Sequence, residues 1–267
     1  MTRRGKNKEL YLSKINNKKL FPKLVSTISG IEYPLERIDE FAENGESLEV
    51  SIPDIENAKI YPGENLWQRY LDFLPFNRMK QDLHLGEGNT PLIRAGRRLQ
   101  EFTGINDLFL KNETQNPTWS FKDRGSLTCI YMAREMKENV TATISSGNMG
   151  NSIAAYGAKA GIKVIVFIPE FVPREKIFSM FIHGAKVIRV KADDYSKMKK
   201  HILGFAKKLK LRIVSGNGPI RIEGYKLTAF EMFEQMKKRV PDYIAVPTSS
   251  CGHIRGIFKG YRELQKA

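Results

Sequence analysis

A lysine at a strand-to-helix junction is the residue of this chain best suited to covalent chemistry. Lys122 lies in the run NPTWSFKDRG, residues 116–125. An apolar strand is predicted at 108–111, Asn116 and Pro117 break it, and Ser120 is placed to cap the next helix. In the first turn of a helix, unpaired amides and the positive end of the helix dipole lower the pKa of an amine. A lysine that can lose its proton can form a Schiff base, although most lysines are simply solvated.

Two further loops have the composition of anion-binding turns. The run SSGNMGN, residues 145–151, follows a strand predicted at 141–145, and TSSCGH, residues 248–253, follows one predicted at 243–246. Before a helix, such loops direct backbone amides outward and can bind a phosphate or carboxylate. Each loop alone is weak evidence, because glycine-rich turns are common in α/β proteins. Two such loops together with a lysine at a third strand end favour a shared site for an anionic ligand.

These segments resemble the fold-type II pyridoxal-phosphate enzymes, and within them threonine synthase. The matching runs are LGEGNTPL at 85–92, then 116–125, 145–150, RIEGYK at 221–226 and 246–260, in family order over about two thirds of the chain. The resemblance implies that Lys122 carries pyridoxal phosphate as a Schiff base and that Asn148 hydrogen-bonds the 3′-oxygen of the cofactor. It implies that the substrate carboxylate binds at Ser145, Ser146, Gly147, Asn148 and Met149. It implies that the cofactor phosphate binds at Ser249, Ser250, Cys251, Gly252 and His253.

The chain departs from the family pattern in both anion loops. The family phosphate loop usually reads Gly-Asn-x-Gly-Asn, whereas residues 249–253 read SSCGH. Serine hydroxyls can donate to a phosphate, but the backbone freedom of the first glycine is lost. Met149 stands where the family commonly has threonine, which removes a hydroxyl donor. The first change bears on cofactor affinity, and the second bears on substrate identity.

The order of predicted elements is that of an α/β fold. We predict strands at 108–111, 141–145, 163–168, 186–190, 212–214 and 243–246, and helices at 120–137, 149–160, 174–183, 195–209, 222–238 and 254–266. Such alternation favours a parallel sheet covered by helices, with ligands at the strand ends. The resemblance implies the tryptophan synthase beta-like fold. It also implies that the C-terminal portion is missing, because family members are longer. We therefore divide the chain into an irregular segment, 1–81, and a catalytic α/β region, 82–267, that is incomplete at its C-terminus.

Composition excludes several other classes of protein. The chain has 41% hydrophobic and 27% charged residues, as in ordinary globular proteins, and no apolar run of membrane-spanning length. Its two cysteines, Cys129 and Cys251, argue against a disulfide scaffold and favour a reducing cytoplasm. The four histidines lack the spacing of metal ligands, so no metal site is expected. Relatives often carry paired cysteines near the N-terminus, and their absence here predicts a metal-free segment.

A formal net charge of +15 raises the alternative of nucleic-acid binding. The lysines fall in separate runs, and those at 197–210 lie on a predicted amphipathic helix whose outer face is simply solvated. A basic surface also attracts an anionic cofactor and a phosphorylated substrate. Nucleic-acid binding and membrane binding are therefore not expected.

The resemblance implies an enzyme that acts on an amino acid and converts O-phospho-L-homoserine and water to L-threonine and phosphate. It also implies that the complete protein is a homodimer. The alternatives are a threonine or serine dehydratase, another β-replacement enzyme, or a degenerate paralogue without turnover. Among neighbouring residues, Asp123 and Arg124 are predicted to form a local ion pair or cap. Glu223 and Lys226 are predicted to be structural, and Trp119 to pack in the core or at a dimer interface.

Overall fold

A computed structural model describes residues 21–37, 40–76, 81–191 and 194–267. Its strands are β1 (Lys23–Ser26), β2 (Glu32–Pro34), β3 (Leu48–Ser51), β4 (Leu92–Arg94), β5 (Phe109–Lys111), β6 (Val140–Ile144), β7 (Lys163–Pro169), β8 (Lys186–Val190) and β9 (Ile213–Val214). Its helices are α1 (Leu66–Arg69), α2 (Arg97–Thr103), α3 (Lys122–Glu135), α4 (Asn148–Ala160), α5 (Arg174–Ile182), α6 (Tyr195–Lys208), α7 (Pro219–Tyr225), α8 (Leu227–Gln235) and α9 (Gly252–Lys266). None of the helices in these ranges is long and apolar enough to cross a membrane.

A parallel sheet with the strand order β8-β7-β6-β9 lies at the centre of the α/β region. Each crossover contains one helix: α4 between β6 and β7, α5 between β7 and β8, and α6 between β8 and β9. The predicted α/β fold with a helix-flanked parallel sheet is therefore confirmed. Because all four strands run in one direction, the loops after β6 and β9 emerge at the same edge.

Both faces of this sheet are buried by helices. Along β7, Val164, Val166 and Ile168 belong to the main hydrophobic core. The intervening Phe167 packs in a second cluster with Met198 of α6. Side chains of a strand alternate between faces, so a fully covered strand reads as a continuous apolar run, as KVIVFIP does. The lysines of α6 form its solvated face, as predicted.

The N-terminal segment contains an antiparallel sheet with the order β2-β1-β3. Leu24 of β1 and both Leu48 and Val50 of β3 lie in the main core, which also contains Ile257 of α9. The first 20 residues of the segment that we predicted to be irregular lie outside the described residues. The described part of the remainder is thus regular in part, and it packs against the α/β region.

Three predicted elements differ from the structure, one of them completely. The strand predicted at 108–111 forms as β5 but pairs antiparallel with β4 in a separate two-stranded sheet. The strand predicted at 243–246 is absent: the segment lies outside every sheet and Tyr243 is 94% exposed. A strand needs a neighbour to satisfy its backbone groups, and the described residues offer this segment none. The helix predicted at 222–238 is divided at Lys226, between α7 and α8.

Candidate active site

Lys122 is the first residue of α3, at the end of a tight turn. The amide of Lys122 donates to Ser120 Oγ at 3.3 Å, although the helix cap is Phe121 and not Ser120 as predicted. Asp123 accepts hydrogen bonds from the backbone amide of Thr118 at 2.7 Å and from its hydroxyl at 2.5 Å. These bonds hold in place the turn that precedes Lys122.

The amine of Lys122 lies against aromatic rings and has no carboxylate partner among the described residues. Lys122 Nζ is 3.9 Å from the ring centroid of Phe121 and 5.7 Å from that of Tyr225. Burial, and then the nearby charge of Arg221, lower the pKa of Lys122 to about 8. The neutral, nucleophilic amine is therefore a minor form at pH 7, but a far larger fraction than for a lysine of ordinary pKa.

Arg221 is a buried guanidinium beside Lys122 that the sequence argument placed in a family motif without giving it a role. Its Nε donates to Ser215 O at 3.0 Å, and its Nη1 lies 3.3 Å from Ser126 Oγ and 3.4 Å from Lys122 O. Its Nη2 is buried without a hydrogen-bond partner in the described part of the chain. A buried cation with a free donor and no carboxylate is suited to an anionic ligand.

The first predicted loop follows β6 and leads into α4. Ser145 Oγ accepts from the amides of Gly147 at 3.3 Å and Gly150 at 3.1 Å, so the loop is held by its own serine. Asn148 begins α4 and is exposed, while Ser146, Gly147 and Met149 are half-buried. The first turn of α4 therefore faces outward from the edge of the sheet. The positive end of its helix dipole is available there for an anion.

The second predicted loop meets the first at Gly216, in the loop after β9. A Cβ added to Gly216 would lie 3.1 Å from Ser250 Oγ and 3.4 Å from Met149 Sδ. A Cβ added to Gly252 would lie only 2.6 Å from Gly216 O, so only glycine permits this approach. Ser249, Ser250 and Cys251 are exposed, and Cys251 adopts a left-handed φ of 58° before α9 begins.

His253 connects the second loop to Lys122. Its ring stacks on Phe121, with a centroid distance of 4.0 Å and an interplanar angle of 8°, and its Nε2 lies 3.2 Å from Thr228 Oγ1. Burial lowers the pKa of His253 to about 4, so the ring is neutral near pH 7. The structure thus brings together the lysine and both loops that the sequence singled out, and it adds Arg221 and Tyr225.

The prediction of a local ion pair between Asp123 and Arg124 is wrong. Arg124 is buried and pairs with Glu113 at 2.7 Å and Glu231 at 2.9 Å, while Asp123 accepts from Ser152 Oγ at 2.6 Å. Long-range partners are invisible to sequence spacing. Arg124 is therefore occupied within the core and is not free to bind a phosphate.

Trp119 is 73% exposed and adopts a left-handed φ of 62° in the turn before Lys122. Packing of Trp119 in the core of this chain, one of the two roles predicted for it, is excluded by that exposure. A role at a dimer interface remains a prediction. Glu223 and Lys226 are fully buried and 2.5 Å apart, which agrees with a structural role.

These residues fit pyridoxal phosphate. A partly deprotonated lysine, two anion-binding loops that meet at Gly216, and the unpartnered buried Nη2 of Arg221 supply what an aldehyde with a phosphate group requires. Residues 83–267 match the model of a family described as pyridoxal-phosphate dependent enzyme. The chain belongs to this family, which confirms the predicted class of protein and its cofactor.

The chain is similar to two threonine synthases and to one solved structure. It is 38% identical to threonine synthase of Methanocaldococcus jannaschii over 247 residues, covering 88% of this chain and 60% of the relative. It is 36% identical to threonine synthase of Methanosarcina acetivorans over 202 residues, covering 75% of this chain and 49% of the relative. The crystal structure of a pyridoxal 5′-phosphate-dependent aspartate racemase superimposes with a TM-score of 0.59 at 28% identity, covering 65% of this chain and 53% of that one. The chain thus spans about half to three fifths of the length of these curated relatives.

Proposed function

We propose that this chain carries the cofactor-binding part of a threonine synthase-type enzyme, which converts O-phospho-L-homoserine and water to L-threonine and phosphate. The observation that carries the proposal is the half-buried Lys122 amine beside Arg221, with a pKa of about 8 and no carboxylate partner among the described residues. The names of the relatives supply the reaction, and the site supplies the groups that such a reaction needs.

In this proposal the protein residues bind anions and move protons. The loop of Ser249, Ser250, Cys251 and Gly252 binds the cofactor phosphate through its hydroxyls and the amides that open α9. The loop that starts at Ser145 binds the substrate carboxylate at the first turn of α4. The guanidinium of Arg221 neutralises negative charge beside Lys122.

Bound pyridoxal phosphate supplies a conjugated electron sink for electrons released at the substrate carbons. Lys122 would hold the cofactor, and as a free amine it would remove and return protons at the α and β carbons of the substrate. Because its pKa is near 8, the amine exchanges a proton readily near neutral pH. Asn148 would help to orient the bound cofactor.

Three further parts of the proposal concern the whole protein. We propose the division at residues 81 and 82, a homodimer for the complete assembly, and a cytoplasmic location. The basic surface serves to attract the anionic cofactor and substrate, so the affinity for DNA or RNA should be weak and nearly abolished at moderate salt.

The test is to add pyridoxal phosphate to the purified chain, reduce with borohydride and map the labelled peptide. We expect visible absorbance and a label on Lys122 in the wild type, loss of both in Lys122→Ala, and no change in Lys159→Ala, a control at an exposed lysine of α4. A label on another lysine of folded protein would contradict the site.

Turnover then separates the alternatives. The proposal expects phosphate and threonine from O-phospho-L-homoserine, measured with this chain alone and with an added fragment equivalent to the rest of a longer relative. Oxo acid released from threonine or serine would replace the proposal with a dehydratase. Cofactor binding without any turnover in the reconstituted assembly would favour a non-catalytic paralogue.

A further inference from the structure

Two lysines and two glutamates form a closed, buried ring where α9 crosses the junction of α7 and α8. Lys226 Nζ lies 2.5 Å from Glu223 and 2.8 Å from Glu263, and Lys259 Nζ lies 2.9 Å from Glu223 and also pairs with Glu263. Lys226 additionally donates to the carbonyl of Phe73 at 2.5 Å. None of these side chains is more than 8% exposed. We call this set the charge ring.

The charge ring is an unusual way to join helices, because burying four charges carries a large desolvation cost. Apolar side chains of similar volume would pack the same space and commonly give equal or greater stability. The ring instead selects one arrangement of the helices, because a buried lysine is compensated only when a carboxylate lies opposite it. The remaining question is which geometry needs to be selected.

A stripe of glycines on α9 leaves the position of this helix along its axis ambiguous. Gly252, Gly256 and Gly260 recur every four residues, and their missing side chains let α9 approach the backbone of α7 and α8 closely. A Cβ on Gly256 would lie 2.5 Å from Tyr225 Cβ, and one on Gly260 would lie 2.6 Å from Lys226 O. Because the stripe repeats, a slide of four residues, about 6 Å, that brings Gly252 and Gly256 to the contacts of Gly256 and Gly260 would present a glycine again at both. The opposite slide is already opposed by the stripe, because it would bring Leu264 against Lys226 O, where a Cβ would lie at 2.6 Å.

The charge ring removes this ambiguity. Sliding α9 by four residues in one direction would place Arg255 and Lys259 opposite Glu223 and Lys226, so two cations would meet a lysine. Sliding in the other direction would place Glu263 and the apolar Ala267 there. Only the observed register gives the two alternating charge pairs.

The register of α9 also decides where the second anion loop lies. Gly252 begins α9 against Gly216 O, and His253 on the same turn stacks on Phe121, the residue before Lys122. A shift of α9 along its axis would carry the whole loop away from the Lys122 amine. We propose that the charge ring is a positioning device that sets the register of α9 and thereby holds the loop of residues 249–253 against Lys122. This inference rests on the proposed function for its account of cofactor binding.

The experiment removes the charges of α9 as a pair. Lys259→Met with Glu263→Leu leaves the Glu223–Lys226 pair intact and keeps the buried volume apolar. The matched control is Arg69→Met with Glu234→Leu, which removes a part-buried pair joining α1 to α8, away from the loop. Lys259→Arg, which retains the charge, is the conservative variant.

Two measurements are made on each variant. The first is the dissociation constant of pyridoxal phosphate, titrated on unlabelled protein well below its unfolding temperature. The second needs no cofactor: a spin label on the exposed Cys251, in a background where the buried Cys129 is alanine, reports the mobility of the loop. We expect the ring variant to bind the cofactor about tenfold more weakly, equivalent to about 1.4 kcal/mol. Its label should be visibly more mobile, while the control and Lys259→Arg resemble wild type.

Equal cofactor affinity and equal label mobility in the ring variant and wild type would overturn the inference, whatever the change in stability. Failure of the wild type to bind cofactor would defeat the proposed function instead, and label mobility would then decide the inference alone. If the double variant does not fold, the same two measurements on Glu263→Gln decide it, with the same direction expected.

Discussion

Two sets of buried charges near the centre of this protein differ in how they are neutralised. Arg124 is paired with Glu113 and Glu231, and Lys111 adds a further cation to Glu231. Burial by itself would raise the pKa of Glu113, but Arg124 lowers this pKa to about 2. Lys122 lies two residues before Arg124 on α3, and Arg221 lies on α7. Neither has a carboxylate partner among the described residues.

The contrast separates structure from function within one short motif. Lys122 and Arg124 are two residues apart on α3, yet Arg124 pairs with two carboxylates and Lys122 with none among the described residues. A paired buried cation needs no ligand, whereas unpaired buried cations are stable only if their cost is offset elsewhere in the fold or by an anion. We therefore propose that the unpaired set marks the anion-binding site.

The largest effect is expected on the paired side. Arg124→Met leaves Glu113 and Glu231 buried with less compensation, so we expect the free energy of unfolding to fall by about 3–5 kcal/mol. Denaturant unfolding measures the loss. A loss below about 1 kcal/mol would show that this network is no more structural than the unpaired set, and the comparison would fail.

On the unpaired side, Arg221→Met should spare stability and impair ligand binding. The guanidinium has no carboxylate to strand, and removal of its unpaired charge offsets the loss of its hydrogen bonds to Ser215 and Ser126, so we expect a smaller loss of unfolding free energy than in Arg124→Met. The affinity for pyridoxal phosphate or inorganic phosphate should fall about tenfold. Titration of each ligand is compared with Arg189→Met, a matched loss of one positive charge on β8. An equal loss of affinity in both variants would indicate a general effect of net charge.

Removal of the Lys122 charge should stabilise the cofactor-free protein in a pH-dependent way. The pKa of Lys122 is lowered to about 8 in the fold from 10.5, so the buried cation opposes folding fully below pH 8 and ceases to do so above about pH 10.5. After discounting for partial solvent exposure, we expect Lys122→Met to gain about 1 kcal/mol at pH 7 and nothing at pH 11. Unfolding curves at several pH values test the sign. A gain that is independent of pH would assign it to packing.

The smallest effect concerns the uncharged turn before Lys122. Trp119 holds a left-handed φ of 62° that disfavours any residue with a Cβ. Trp119→Gly should therefore raise the unfolding free energy by about 0.5 kcal/mol, after the extra freedom of glycine in the unfolded chain is counted. Trp119→Ala, which keeps a Cβ, should show no such gain. Thermal unfolding of both variants gives the comparison, and equal values would remove backbone strain as the cause.

The segments that the sequence located correctly are those whose pattern is local. The apolar runs of β6, β7 and β8 and the helices between them lie within one or two residues of their predicted bounds. A buried parallel strand can be predicted from its composition alone. The glycine that ends α4, Gly161, adopts the left-handed conformation expected at a helix C-terminus. Local patterns also predicted Lys122 and both anion loops, whose roles belong to the proposed function.

What depended on distant residues could not be found from the pattern. The run at 243–246 has a strand composition but no neighbour with which to pair, and 108–111 pairs antiparallel with a strand that was not predicted. The partners of Arg124 come from positions 11 residues before it and 107 residues after it, a relation that no local spacing expresses.

The sequence by itself therefore determined the α/β order and the family, and it predicted the lysine and the two loops on which the proposed site rests. The tertiary structure alone decided which buried charges are paired, how α9 is seated by Gly256 and the charge ring, and that Arg221 lies beside Lys122. The physical reason is that composition and periodicity report the burial of a single element. The pairing of charges and strands depends on which elements meet, and that is settled only when the whole chain packs.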